Sequence, residues 1–403
     1  MTMTASSTPT PTPSLPILFR DGWRVFFMAA GLYAVAAIAV WLLWTAGAAE
    51  LPFAPGPIAW HAHEMVFGFA SAALGGFFLT AVPNWTGAPA PTDRFVALVA
   101  GLWLAGRVAV WFSGALPAGV VALLDLAFVP VLGARMVAML MIRPKPQNLM
   151  FIALLTLFWT SNLLVHLDWI GWSATEAQGM RGGLLTVSAM IAVLGGRVTP
   201  AFTRNALLRG NPASPVPVSR KPLEIAGVAL PILTALLALA GAPDLPTGAV
   251  ATAAGIAAGL RLAGWRGLST LGEPIVWALH AGYAMLALGL LAWGLALLGL
   301  GSEIGALHIL GVGAIGGMTL AVMSRASIGH SGRPLRAPAT VALAYGLIPL
   351  ATLLRWAASA WPGSFHAAGT LGAGALWILA FVLYLLALWP VWTSPRPVKG
   401  DAS

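Results

Sequence analysis

Apolar and polar positions along this chain are separated on the scale of whole helices. Runs of about 20 mostly apolar residues, the length of a bilayer-spanning helix, are joined by short stretches rich in proline, glycine and charge. This pattern predicts an all-α, polytopic membrane protein of twelve transmembrane helices, with ends defined to within a few residues. The predicted spans are 25–45, 62–83, 95–113, 118–141, 149–168, 183–203, 225–241, 247–263, 275–299, 304–324, 339–359 and 367–391.

The same pattern predicts a single twelve-helix membrane domain at residues 25–392. Residues 1–24 begin with a tract of serine, threonine and proline and are predicted to form a disordered cytoplasmic tail. Residues 393–403 are predicted to form a second cytoplasmic tail. The first apolar run is longer than the hydrophobic core of a signal peptide, so we interpret it as a retained span.

Composition supports the membrane assignment and limits the available chemistry. Hydrophobic residues make up 59% of the 403 residues and charged residues only 8%, whereas soluble domains carry about 25% charged residues. These values exclude a water-soluble enzyme. The chain has no cysteine, which excludes disulfides, iron–sulfur clusters and thiolate metal sites. Any bound metal must therefore be held by histidine, methionine or oxygen ligands.

Basic residues outnumber acidic ones by 21 to 12, which gives a net charge of +9. With a cytoplasmic amino terminus, eighteen of the basic residues fall on the cytoplasmic side of the predicted spans. Only Arg107, Arg181 and Arg355 then lie toward the outside. Because cytoplasmic loops carry an excess of lysine and arginine, this distribution predicts an N-in, C-in topology. The net charge therefore does not indicate a nucleic-acid partner.

Three diglycine pairs recur at nearly equal spacing. Gly75-Gly76, Gly195-Gly196 and Gly316-Gly317 are 120 and 121 residues apart and fall in predicted spans two, six and ten. The spacing predicts three repeats of four helices, with a glycine-faced second helix in each repeat. Such a helix can approach a neighbouring helix or a flat ligand closely. The alternative is coincidence, because the chain contains 46 glycines.

Histidines within a membrane are costly and are therefore functional candidates. His61, His63 and Glu64 lie at the outer start of span two, and His308 lies at the matching end of span ten. His308 and either His61 or His63 could form the axial pair of a haem. Glu64 is expected to orient the His61 imidazole. The alternative is a set of unrelated interfacial histidines bonded to the backbone or to lipid headgroups.

Other polar residues extend this list of candidates. His280 and His330, toward the inner side, could hold a metal, and His280 could equally bond within the bundle. Arg107 and Arg355 could pair with a haem propionate or another anion. Asp125 in span four could pair with one of these arginines or belong to a proton path.

The two remaining histidines, His166 and His366, are expected to be ordinary interfacial residues at outer span ends.

Four ordered motifs resemble those of the NnrS family. They are WHAHEMVFGFASAALGGFFLTAVPNWTG (60–87), GGRVTPAFTRN (195–205), VWALHAGYAM (276–285) and LHILGVGAIGGMTLAVMSRASIGHSGRPL (307–335). NnrS proteins are bacterial membrane proteins tied to nitric oxide metabolism and nitrosative stress, with haem and copper reported as cofactors. The resemblance implies a multi-pass protein of the bacterial inner membrane that contains haem, expected to be of b type, and that interacts with nitric oxide or a related small molecule. Its histidine metal ligands would come from His61, His63, His308, His280 and His330.

The predicted architecture also resembles the catalytic subunit of haem-copper oxidases and nitric oxide reductases, in which helices two and ten carry the haem-binding histidines. That superfamily places its active-site metal on histidines of helices six and seven, and predicted spans six and seven contain none. The resemblance therefore supports a haem more than it supports oxygen or nitric oxide reduction. It assigns no catalytic residue and no electron donor.

Two further functional hypotheses fit the sequence. The first is a cofactor-free, multi-pass solute or anion transporter, because glycine-broken helices and internal repeats are also common in transporters. The second is a regulatory membrane partner without chemistry of its own.

Overall fold

The structure is a computed structural model that describes residues 17–361 and 363–397. Within these residues it contains no strand, and twelve helices are long and apolar enough to cross a bilayer. In order, spans one to twelve are Gly22–Thr45, Pro57–Thr86, Asp93–Trp111, Ala118–Leu140, Pro146–Trp169, Glu176–Gly210, Lys221–Leu239, Asp244–Ala263, Pro274–Leu297, Glu303–His330, Ala339–Ala360 and Phe365–Thr393. The predicted all-α architecture and the number of spans are therefore confirmed.

The largest differences from the predicted ends occur where a helix continues beyond its apolar segment. Span six, Glu176–Gly210, starts earlier and ends later than the predicted 183–203. Its carboxyl-terminal part contains Arg197, Arg204 and Arg209, which lower hydropathy but are good helix formers. Hydropathy therefore located the membrane-embedded part of this helix but not its full length.

The helical hydrogen-bond pattern changes within two spans that were predicted to be related by the repeat. In span two, a π-helical segment covers Glu64–Ala70. In span ten, a π-helical segment covers Ile309–Gly316. Each segment begins immediately after a histidine, His63 or His308. Because π-helical turns are rare and often mark functional sites, these two positions indicate a candidate functional region.

Spans two, six and ten contact one another and form the centre of the bundle. Each diglycine pair lets a large side chain of another span approach the backbone closely. The close neighbours are Phe27 at Gly76, Arg261 at Gly196 and Trp377 at Gly316. The glycine-faced helices therefore approach neighbouring helices at these positions. The grouping into three repeats of four helices stays a prediction.

Span four is interrupted near its middle by a proline. Its two α-helical parts, Ala118–Leu126 and Phe128–Leu140, are joined at Ala127. Pro130 has no N–H group to donate to the carbonyl of Leu126. The indole Nε1 of Trp159 in span five donates to that carbonyl at 3.0 Å. A side chain from a neighbouring helix thus satisfies the freed backbone group, as a bilayer requires.

Span one and span twelve are joined at one end of the bundle. The buried guanidinium of Arg24 donates to the carbonyls of Val391, Trp392 and Ser394 at 2.8–3.0 Å. These carbonyls lie at the end of a helix, where intrahelical donors are lacking. The start of span one and the end of span twelve therefore lie on the same face of the bundle. Which face is cytoplasmic stays a prediction from the charge distribution.

Parts of both predicted tails belong to the described structure. Ile17–Phe19 form a short 3-10 helix, and span one begins at Gly22. Residues 1–16 and 398–403 lie outside the described residues.

Candidate functional site

A polar cluster lies among spans one to five, near their predicted outer ends. Six of its seven side chains are buried and the seventh, Tyr33, is partly buried. The members of this polar cluster are Tyr33, His63, Glu64, Arg107, Asp125, Asn162 and His166. Since buried polar groups are costly unless they are paired, such a concentration of them indicates a site rather than general packing.

His63 is fully buried and uses both of its ring nitrogens. Nδ1 lies 2.7 Å from Oε1 of the adjacent Glu64. Nε2 lies 2.9 Å from Oδ1 of Asn162 and 3.2 Å from Oδ2 of Asp125. The imidazole therefore connects span two to spans four and five, and its carboxylate neighbour at Nδ1 holds the ring in one orientation.

Arg107 of span three pairs with both carboxylates of the cluster. Its Nη1 donates to Oε1 of Glu64 at 2.7 Å, and its Nη2 forms a close ion pair with Oδ1 of Asp125. The hydroxyl of Tyr33 donates to Glu64. Before the histidines are counted, two carboxylates and one guanidinium give the cluster one net negative charge. Of the two arginines that the sequence offered as partners of Asp125, the structure places Arg107 beside it.

The second oxygen of Asp125 is shared by groups from span five. Nδ2 of Asn162 donates to Oδ2 at 2.8 Å, and Nε2 of His166 lies 2.8 Å from the same atom. Among the described residues, His63, Asp125 and His166 are the only three histidine or acidic residues whose ligand atoms all lie within 4.8 Å of one another. Two imidazoles and a carboxylate form a donor set that suits a first-row transition metal.

Two glycines make room for the ion pairs. A methyl group on Gly106 would lie 2.8 Å from Oδ1 of Asp125. A methyl group on Gly68 would lie 2.7 Å from Nη1 of Arg107. Alanine at either position would displace a charged group, so these glycines are required by the cluster.

A second group of basic side chains lies at the predicted outer ends of spans two and ten. The His61 ring stacks on Trp41 with centroids 4.3 Å apart, and its buried Nδ1 has no hydrogen-bond partner. Nδ1 of His308 bonds to the carbonyl of Ile304 at 2.7 Å. His61 lies within electrostatic range of both His308 and Arg355. Span eleven thus adds a cation to the two histidines.

Open space adjoins these histidines. His61 and Met65 on span two, and His308 and Gly311 on span ten, are partly exposed although both spans are largely buried. A methyl group on Gly311 would meet only Leu184, at 3.9 Å. We refer to the surface formed by these partly exposed residues of spans two and ten, beside Leu184 of span six, as the outer crevice.

Arg355 has no acidic partner among the residues that the structure describes. Its Nη1 donates to Oγ of Ser359 at 2.5 Å. Ser359 lies one helical turn beyond Arg355 and carries no charge. The guanidinium is therefore available to an anion near His308.

The two inner histidines have different surroundings. Nε2 of His280 lies 2.7 Å from Oγ1 of Thr203, whereas its buried Nδ1 has no partner. The His330 ring packs near Trp23, with centroids 6.5 Å apart. His280 therefore bonds within the bundle, and the described contacts do not join it to His330.

Two expectations from sequence were wrong. Glu64 orients His63 and not His61. His166 is buried in the polar cluster and is not an ordinary interfacial histidine. The sequence did contain a signal for the role of His166. Asn162 precedes it by four residues, a spacing that places both polar side chains on one face of span five.

The model of a family described as NnrS protein matches residues 17–396, nearly the whole chain. No curated protein matches the chain.

Proposed function

Because the chain belongs to the NnrS family, we propose that it is a haem protein of the bacterial inner membrane that acts in the response to nitric oxide. Family membership supports the role in the nitric oxide response, and the twelve apolar helices support the multi-pass membrane location. The haem, expected to be of b type, would occupy the outer crevice between spans two and ten.

The observation that carries this proposal is the difference between the two histidines of span two. Both ring nitrogens of His63 have partners. Nδ1 of His61 is buried without one. Because a haem ligand needs a free imidazole nitrogen, His61 and His308 fit the role of axial ligands better than His63 and His308.

The remaining features of the crevice also fit a haem. Gly311 leaves open space beside His308, and Arg355 offers a guanidinium to a propionate. Arg107 is already paired with Glu64 and Asp125, so we assign the propionate to Arg355 alone. When bound, the haem iron would supply one-electron redox chemistry and a centre with affinity for nitric oxide.

We further propose that His63, Asp125 and His166 hold copper, the second metal reported for the family. Metal-binding histidines usually donate their other N–H to a carboxylate, and Glu64 lies 2.7 Å from Nδ1 of His63. Arg107 occupies Oδ1 of Asp125, which leaves Oδ2 directed toward both histidines. Copper binding would require Asn162 to give up two bonds, the one to Oδ2 of Asp125 and the one to Nε2 of His63.

An optical spectrum of the purified chain tests the haem. We expect a Soret band and a pyridine haemochrome signal of b type from protein expressed with sufficient iron. His61→Ala and His308→Ala should each shift or abolish the band, whereas the matched His366→Ala variant should leave it unchanged. Absence of haem from monodisperse protein would refute the proposal. A band lost in His63→Ala but retained in His61→Ala would refute the ligand assignment.

Metal analysis after loading with copper tests the second site. We expect one copper per chain in the unaltered protein and loss of that copper in His166→Ala, with the haem band retained. His280→Ala serves as the matched control, because His280 belongs to neither site. Equal copper content in His166→Ala and the unaltered chain would exclude the polar cluster as the copper site.

A further inference from the structure

A small apolar cavity, partly open to the surface of the bundle, lies among spans one, two, five, six and ten. Its volume is about 60 Å³. Its walls include Ala73 of span two, Met190 and Gly195 of span six, and Met318 and Val322 of span ten. Neither the outer crevice nor the polar cluster includes any of these residues.

The sequence leaves this space open because small side chains meet where three helices converge. Ala73 and Gly195 place almost no side-chain volume between spans two and six. Gly195 is already in close contact with Met318, since a methyl group there would lie 3.1 Å from its Cε. The surrounding methionine side chains are flexible and can adjust to a small guest.

The size and lining of the cavity limit what it can hold. A water molecule needs two or more polar partners in a buried site, and the walls are almost entirely hydrocarbon and thioether, so water is disfavoured. An apolar cavity of about 150 Å³ accommodates benzene or xenon. A cavity of about 60 Å³ is too small for benzene, a quinone ring or a lipid chain, but it can hold a diatomic gas.

We propose that this cavity binds an uncharged diatomic gas within the membrane. The identification of that gas as nitric oxide rests on the proposed function. A gas of this kind favours an apolar environment over water, so it can enter the bundle from the hydrocarbon core. Ala73 lies twelve residues along span two from His61, which corresponds to roughly 18 Å of helix. The cavity would therefore hold the gas at a distance from the proposed haem.

Xenon, an apolar atom that needs no haem, tests the cavity directly. Crystals of the full chain under xenon pressure should show an anomalous peak between Ala73, Met190 and Met318. Ala73→Leu should abolish this peak, whereas Ala249→Leu, at an exposed position of span eight, should retain it. If Ala73→Leu does not fold, Val322→Phe, which fills the cavity from span ten, is tested in its place. Absence of the peak from the unaltered chain, or its persistence in a folded cavity-filling variant, would overturn the proposal.

Rebinding of nitric oxide to the haem after flash photolysis tests the identity of the gas. We expect the filled variant to show a several-fold change in the fraction that rebinds from within the protein, while Ala249→Leu matches the unaltered chain. An unchanged fraction in a variant that has lost its xenon peak would overturn nitric oxide as the occupant. If the chain contains no haem, the proposed function fails, whereas the xenon experiment still decides whether the cavity binds gas.

Discussion

His166 and Asp125 are joined across two spans, with Nε2 of His166 2.8 Å from Oδ2 of Asp125. The other oxygen of Asp125 pairs with Arg107. One carboxylate thus holds spans three, four and five together within the apolar interior. Because every partner of this carboxylate is buried, its removal leaves polar groups that water cannot reach.

Asp125→Ala is therefore expected to destabilise the protein strongly. Removal of one member of a buried ion pair costs about 3–5 kcal/mol, because the remaining charge stays buried without its partner. Unfolding in mixed micelles with increasing SDS fraction measures the change. Asp244→Ala, at an exposed position in the first turn of span eight, should cost less than about 1 kcal/mol. Similar losses in the two variants would contradict this account of the cluster.

A second buried arginine leads to a prediction about two tyrosines. The hydroxyl of Tyr283 accepts a hydrogen bond from Arg261 at 2.6 Å, whereas that of Tyr345 bonds to the neutral Ser324 at 2.5 Å. Hydrogen bonds to charged groups contribute about 1.5–3 kcal/mol and neutral ones about 1 kcal/mol. Tyr283→Phe should therefore destabilise more than Tyr345→Phe in the same unfolding measurement. The opposite order would show that the bond to Arg261 contributes little.

The diglycine of span two should not tolerate larger residues. A methyl group on Gly76 would lie 2.6 Å from the ring of Phe27. Gly76→Val is expected to cost about 1–3 kcal/mol through overpacking and to lower the yield of monodisperse protein. Nothing lies within 4 Å of a methyl group on Gly101, so Gly101→Ala should be neutral or stabilise the helix by up to about 1 kcal/mol. A well-folded Gly76→Val variant of unchanged stability would contradict the close contact between spans one and two.

The predicted N-in, C-in topology can be tested by cysteine labelling, because the chain has no cysteine of its own. Ala174→Cys lies between spans five and six and Ser219→Cys between spans six and seven, both at exposed positions. A membrane-impermeant maleimide should label Ala174→Cys in intact spheroplasts and Ser219→Cys only after permeabilisation. The reverse pattern would invert the topology.

The sequence alone determined the number and approximate position of the spans. Whether a segment enters the bilayer depends mainly on the transfer of its own 20 or so residues into hydrocarbon, and that property is local. Local hydropathy did not define where span six begins and ends, since a helix can continue into water beyond its apolar part. The sequence also indicated Asp125 as a candidate partner for Arg107 or Arg355, because a charge within an apolar span needs an opposite charge nearby, and the structure decided for Arg107.

The tertiary structure alone decided which histidine has which neighbours. His166 lies 41 residues from Asp125, and their contact depends on the rotation of each helix about its axis. A helix that is apolar on all sides has no hydrophobic face to define that rotation. For the same reason, sequence left open whether His61 or His63 faces a ligand. Two residues that are two positions apart on a helix point in nearly opposite directions. The packing of span two decided that His63 points into the polar cluster and His61 toward Trp41.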